Sequence, residues 1–201
     1  MFNNFTIRHF AMIVVGCVLL PGHAKAALFI QFSEGGGTVN VIATGSLNLS
    51  ATLSRIGSGT HAYSMFNPSR GFLLTGNRVL IDTYRINSLV TPFGTGANSP
   101  TTMVGDGDRV ALFADLAIGV PAGYVSGEQL YSTNSWPGSF QSLGLVEGEY
   151  VTNFSRGSAS DSITVRVVPE PSLGLTGGLG TLVVLLRRRN SHETSRTRRR
   201  S

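Results

Sequence analysis

The chain has 201 residues, a length that suits one domain of ordinary size. Its 41% hydrophobic content excludes a disordered chain, and 25 glycines beside only 13% charged residues favour a turn-rich β protein over a helical one. The net charge of +5 divides into +2 over residues 1–26, −3 over 27–171 and +6 over 172–201, so the basic character belongs to the ends and does not point to nucleic acid.

Residues 1–26 read as a secretory signal peptide. Arg8 and His9 supply a short positive start, and residues 10–20 form an apolar run too short to cross about 30 Å of hydrocarbon as a helix. Pro21 and Gly22 break that run, and Ala24-Lys25-Ala26 follows as the small-x-small pattern of signal cleavage. The mature chain is then expected to begin at Ala27, handed on by the secretion translocon and signal peptidase. A rival reading makes Cys17 a lipid-modified N-terminus. Against it, few apolar residues precede Cys17, and Val18, Leu19 and Leu20 continue the run beyond it. Cys17 is the one cysteine of the chain, so removal of the signal leaves no disulfide, thiolate nucleophile or cysteine-bound metal.

Residues 27–167 are expected to be an all-β body, an antiparallel sandwich or jelly-roll-like domain, between a signal helix and a C-terminal hydrophobic helix. The signal for it is alternation with a period of two. Val39, Val41, Ala43, Gly45, Leu47 and Leu49 share one face, opposite Thr38, Asn40, Thr44, Ser46 and Asn48. Val110, Leu112, Ala114 and Leu116 alternate with Arg109, Phe113 and Asp115, and Ile163, Val165 and Val167 alternate with Ser162, Thr164 and Arg166. Another strand is expected within 78–86, and 93–102 reads as a long polar loop. Frequent turn residues between short strands are the pattern of a sandwich.

Little in the body points to chemistry, and neither a cofactor nor an enzymatic role is expected. His61 stands without the Gly-x-Ser-x-Gly elbow that a serine hydrolase would place near it. Asp106-Gly107-Asp108 offers two carboxylates to a calcium ion but lacks the spaced glutamate of an EF-type loop, and Asp and Gly also build ordinary turns. Glu147 and Glu149, two apart on a strand, would share a face about 6.5 to 7 Å apart, the spacing of an inverting glycosidase. A secreted hydrolase would rest on one of these two pairs. Tyr124, Tyr131, Trp136 and Phe140 cluster in the loop-rich half, with Tyr131 and Trp136 as candidate glycan contacts of a carbohydrate-binding module. The competing reading buries these rings in the core.

The tail begins at Val168-Pro169-Glu170-Pro171, where proline rigidity stops the last strand and starts an extended linker. Residues 172–186 carry no charge, and Arg187, Arg188 and Arg189 follow. Fifteen residues at about 1.5 Å each reach about 22 Å, short of a full bilayer span. A transient membrane anchor fits that length, with the arginine cluster as a cytoplasmic stop. Residues 190–201 extend past this cluster as a basic, disordered end containing Arg196, Arg198, Arg199 and Arg200.

The order Pro-Glu-Pro, apolar stretch and arginine cluster over 168–189 resembles the PEP-CTERM sorting domain. The extension 190–201 departs from that pattern, since such tails usually end after the first basic cluster. Several stretches between 120 and 168, among them Pro121-Ala122-Gly123-Tyr124 and Gly157-Ser158-Ala159-Ser160, are similar to bodies that accompany such tails. The resemblance implies recognition by an exosortase-type peptidase and removal of the hydrophobic segment, or its retention as an anchor. It further implies an inner-membrane precursor, then a surface or extracellular protein of matrix or adhesive kind with exopolysaccharide as a partner.

Overall fold

A computed structural model describes residues 27–102 and 105–169. The expected signal segment with its cleavage residues Ala24 and Ala26, and the tail from Glu170 onward, lie outside the described residues. In chain order the strands are β1 (Ala27–Gly35), β2 (Thr38–Gly45), β3 (Ser54–Gly59), β4 (Met65–Asn67), β5 (Phe72–Thr75), β6 (Ile81–Arg85), β7 (Asp106–Gly107), β8 (Val110–Phe113), β9 (Ala117–Pro121) and β10 (Leu130–Pro137). A single helical turn, α1 (Phe140–Leu143), precedes β11 (Gly148–Arg156) and β12 (Ala159–Pro169). Among the described residues no helix is long and apolar enough to cross a membrane.

The protein is all-β, with two six-stranded sheets ordered β11-β12-β1-β2-β10-β7 and β3-β6-β9-β8-β5-β4. Tight turns set the registers. Gly36 and Gly37 both take positive φ, 60° and 77°, which the two-residue connection of β1 to β2 requires and which glycine adopts without steric cost. Alternation then sends Leu28, Ile30 and Phe32 of β1, Val39, Val41 and Ala43 of β2, and Ile163, Val165 and Val167 of β12 to one side. These side chains share a single cluster with Leu73, Val110, Leu112, Ile118 and Val120 of the second sheet. Burying each large aliphatic or aromatic side chain there contributes about 1.5–3 kcal/mol. Phe32 sits at the centre, with ring centroids 5.3 Å from both Phe66 and Phe93.

Several details correct the sequence reading. The sheets are not wholly antiparallel, because β1 lies parallel to β12 from Ala27↔Ser162 to Glu34↔Pro169. A parallel pair needs a crossover, and here the crossover is the rest of the body, second sheet included. That pairing also carries β12 through Val168 and Pro169, so the sheet ends two residues beyond the expected boundary at 167. The alternation past Gly45 is not strand. Leu47 drops into the core, and Leu49 opens a 3-10 turn (Leu49–Ala51) whose cap, Asn48, accepts a 3.1 Å bond from the Ser50 amide. The strand expected in 78–86 shortens to β6, while 93–102 holds no named strand. Phe93 at its start is nevertheless fully buried.

Arg109 departs furthest from expectation. Alternation puts it on the polar side of a strand, yet it is 0% exposed. It precedes β8, and its Nη1 donates to Ser64 Oγ at 2.9 Å and to the Gly76 carbonyl at 3.0 Å. Its Nη2 donates to the carbonyls of Tyr63 and His61. The guanidinium thus ties the segment before β4 to the turn after β5. Burial holds its pKa below the ordinary arginine value.

Candidate functional site

The residues that carried a sequence-level hint of chemistry are mostly engaged in holding the fold. Asp106 forms part of the short pairing of β7 with β10, and its Oδ1 accepts from the Gly107 amide at 2.8 Å. Asp108 Oδ2 accepts from the Tyr131 amide at 2.9 Å, and the Asp108 amide returns a bond to the Tyr131 carbonyl. The Asp108 carboxylate therefore helps dock one edge of the first sheet, while that of Asp106 holds only its own turn. No group of three or more potential metal-ligating His, Cys, Asp or Glu occurs among the described residues.

Glu147 and Glu149 do not form the expected pair on one strand face. Glu147 lies in the bend before β11, whereas Glu149 lies in the strand. Glu149 Oε2 accepts from Arg166 Nε at 3.0 Å and from its Nη2, so its carboxylate is committed to an exposed ion pair across β11 and β12. His61 stacks obliquely on Phe113 at 5.9 Å, and burial together with the nearby Arg109 charge holds its pKa below the usual imidazole value. It borders a shallow groove of about 380 Å³ with Ile56, Thr83 and Asp115.

The four clustered aromatics separate sharply. Tyr124 is buried, and its hydroxyl accepts from the Leu47 amide at 2.8 Å and donates to the Glu128 carbonyl at 2.6 Å. Phe140 is buried as well. Trp136, a candidate glycan contact by sequence, is 0% exposed and packs edge-on against Phe66 at 4.9 Å. The reason is parity, because β10 turns Leu130, Ser132, Asn134 and Trp136 inward. Trp136 is therefore a core residue, and no sugar can stack on it. The same parity turns Tyr131 outward, leaving it 52% exposed.

Tyr131 has a partner that sequence reasoning missed. Phe29 on β1 is 46% exposed. The signal was present in Leu28-Phe29-Ile30-Gln31-Phe32, where strict alternation allows only one of the two phenylalanines to face the core. In register, Phe29 lies opposite Thr44 of β2, and Thr44 lies opposite Tyr131 of β10. Val151 and Thr164 continue this row across β11 and β12. A second row, two residues along, runs Glu149, Arg166, Gln31, Ile42 and Thr133. Between the rows lies a groove of about 260 Å³ lined by Phe29, Gln31, Ile42, Thr44 and Arg166. Ile42 is 44% exposed, so this outer face mixes uncovered apolar groups with hydroxyls and an amide.

A more polar hollow of about 290 Å³ lies where the β11–β12 turn meets the 87–88 segment, lined by Asn87, Ser88, Asn153, Ser160 and Asp161 among others. Asp161 is buried there, and desolvation pushes its pKa above the usual carboxylate range. Its oxygens accept from the Asn48 amide at 2.6 Å and the Ser162 amide at 2.7 Å, which anchors the 3-10 turn to β12. No protein-family model, curated protein or solved structure matches this chain.

Proposed function

We propose that the chain is an exported, non-enzymatic surface or extracellular-matrix protein, sorted through its C-terminal tail by an exosortase-type peptidase. The observation that carries this reading is the order of its parts. A signal-type N-terminus, a cysteine-free body, a Pro-Glu-Pro motif, a charge-free segment and an arginine cluster follow one another along the chain. The body is a β-sandwich in this reading, and two features of it fit such processing. Cleavage after Ala26 leaves every residue of β1 in the mature chain. At the other end β12 runs straight into Val168 and Pro169, so a cut beyond the motif spares the sheet.

The non-enzymatic part of the reading is supported by where the carboxylates are spent. Asp82 holds Arg55, Glu149 holds Arg166, Asp108 holds the Tyr131 amide, and Asp161 holds the Asn48 amide. Intact mass of the protein in membrane, surface and medium fractions tests the proposal, in cells with and without the processing peptidase. Mature protein should begin at Ala27 and lack residues 172–186 when the peptidase is present. The unprocessed 201-residue chain, soluble in the cytosol, would refute it.

A further inference from the structure

We infer that the outer face of the first sheet is a binding surface for an extended, uncharged polysaccharide, gripped by Phe29 and Tyr131. The two rings stand in one register row with β2 between them, which sets them two strand spacings, roughly 9.5 Å, apart. That separation is close to the length of one disaccharide unit in an extended β-linked pyranose chain. A pyranose presents an apolar C–H face that stacks on an aromatic ring, while its equatorial hydroxyls project at the edges. Here Thr44 stands between the rings, and Gln31, Thr133 and Arg166 flank them in the neighbouring row. Ile42 supplies a further apolar contact in the groove.

The charge pattern selects the class of polymer. On the outward side of β12, β1, β2 and β10 the one charged side chain is Arg166, and Glu149 of β11 neutralises it. Asp106 at the β7 edge, opposite Thr133, is the remaining charge of this row, so the face offers an acidic glycan no unpaired cation and suits a neutral one. The alternation of apolar and hydroxyl groups also differs from the largely apolar core of a stable dimer interface. Where the face meets its polymer depends on the proposed export of the chain, but binding itself does not, so the two ideas fail separately.

The purified chain can be tested for retention on cellulose and chitin, with alginate as the acidic comparison and sedimentation as a check for self-association. Cellulose or chitin should retain the protein, and alginate should not. The double variant Phe29→Ser/Tyr131→Ser should bind at least about tenfold more weakly. Tyr63→Ser, which trims an exposed ring elsewhere, should bind as the parent does. Trp136 fluorescence reports whether each variant keeps its core. Undiminished binding by a folded double variant would overturn the inference. So would stronger retention on alginate, no retention of the parent on either neutral polymer, or self-association that the double variant abolishes.

Discussion

The two sheets solve the same burial problem differently. Strands of the first sheet are mostly long and bury one side, as in β10, where Leu130, Ser132, Asn134 and Trp136 are buried and Tyr131 and Ser135 are exposed. The central strands of the second sheet, β5, β8 and β9, are short and buried on both sides, while its edge strand β3 is exposed. Val110 and Leu112 of β8 join the main core, while Ala111 packs outward with Leu74 and Ile81 in a separate cluster. Met65, Phe72 and Phe113 partly cover that cluster. The centre of the second sheet therefore spends its outer apolar groups on itself and leaves only Ile56 of edge strand β3 open, whereas the first sheet leaves Phe29, Ile42 and Tyr131 open across its middle strands. A surface kept open in this way is available to a ligand.

Substitutions on the two sides of β10 should give the largest contrast. Trp136→Ala removes a fully buried indole packed on Phe66 and is expected to cost about 3–5 kcal/mol in urea unfolding. Tyr131→Ala, five residues earlier on the open side, should stay within about 1 kcal/mol. Equal losses would mean that the open face is not open.

A second contrast sets one arginine from each sheet side by side. Arg109→Met removes the donor to the buried Gly76 carbonyl and Ser64 hydroxyl and to the part-buried carbonyls of His61 and Tyr63, and should cost on the order of 3 kcal/mol. Arg166→Ala breaks only an exposed pair with Glu149, worth about 0–1 kcal/mol. Urea midpoints of the two variants rank these directly, and a larger loss for Arg166→Ala would invert the account.

The smallest effects should appear in the pH dependence of stability, where two buried carboxylates act in opposite senses. Asp82, bonded to Arg55 at 2.6 Å and to Ser58 at 2.6 Å, has its folded pKa held below the ordinary carboxylate value. Its contribution is present above the unfolded carboxylate range and is lost as pH falls through the depressed folded value. Asp161 has its folded pKa raised by burial, so its charged form disfavours folding. That penalty is present above the raised value and disappears as pH falls to the ordinary carboxylate range. Unfolding of Asp82→Asn and Asp161→Asn across this range should show the first losing acid sensitivity and the second losing the decline on the alkaline side. The same change of slope in both would contradict the assignment.

How much of this was legible in the sequence follows from the same contrast. Ile163, Val165 and Val167 could be read as one inward side because their strand is covered on one side only. The alternation proposed for 109–116 holds within β8, where Val110 and Leu112 face the main core, but breaks at Arg109 and after Phe113, and the opposite side of the strand is covered as well. The burial of Arg109 left no local trace, since its acceptors lie at His61, Tyr63, Ser64 and Gly76, distant in the chain. The parallel pairing of β1 and β12 joins opposite ends of the body and is likewise invisible to a short window. β10 runs on through Pro137, whose position at the strand end tolerates the missing N–H. Of the two readings of Trp136 in the sequence, the core one holds, and its burial and the exposure of Phe29 both follow from the same period of two.

Hydroxyl-radical footprinting of the folded protein, read residue by residue in a mass spectrometer, tests the difference between the two faces most directly. Phe29 and Tyr131 should oxidise readily, Trp136 and Phe66 should resist until the protein unfolds, and a bound neutral glycan should protect the first pair. Oxidation of Trp136 as fast as Tyr131 in folded protein would contradict the account.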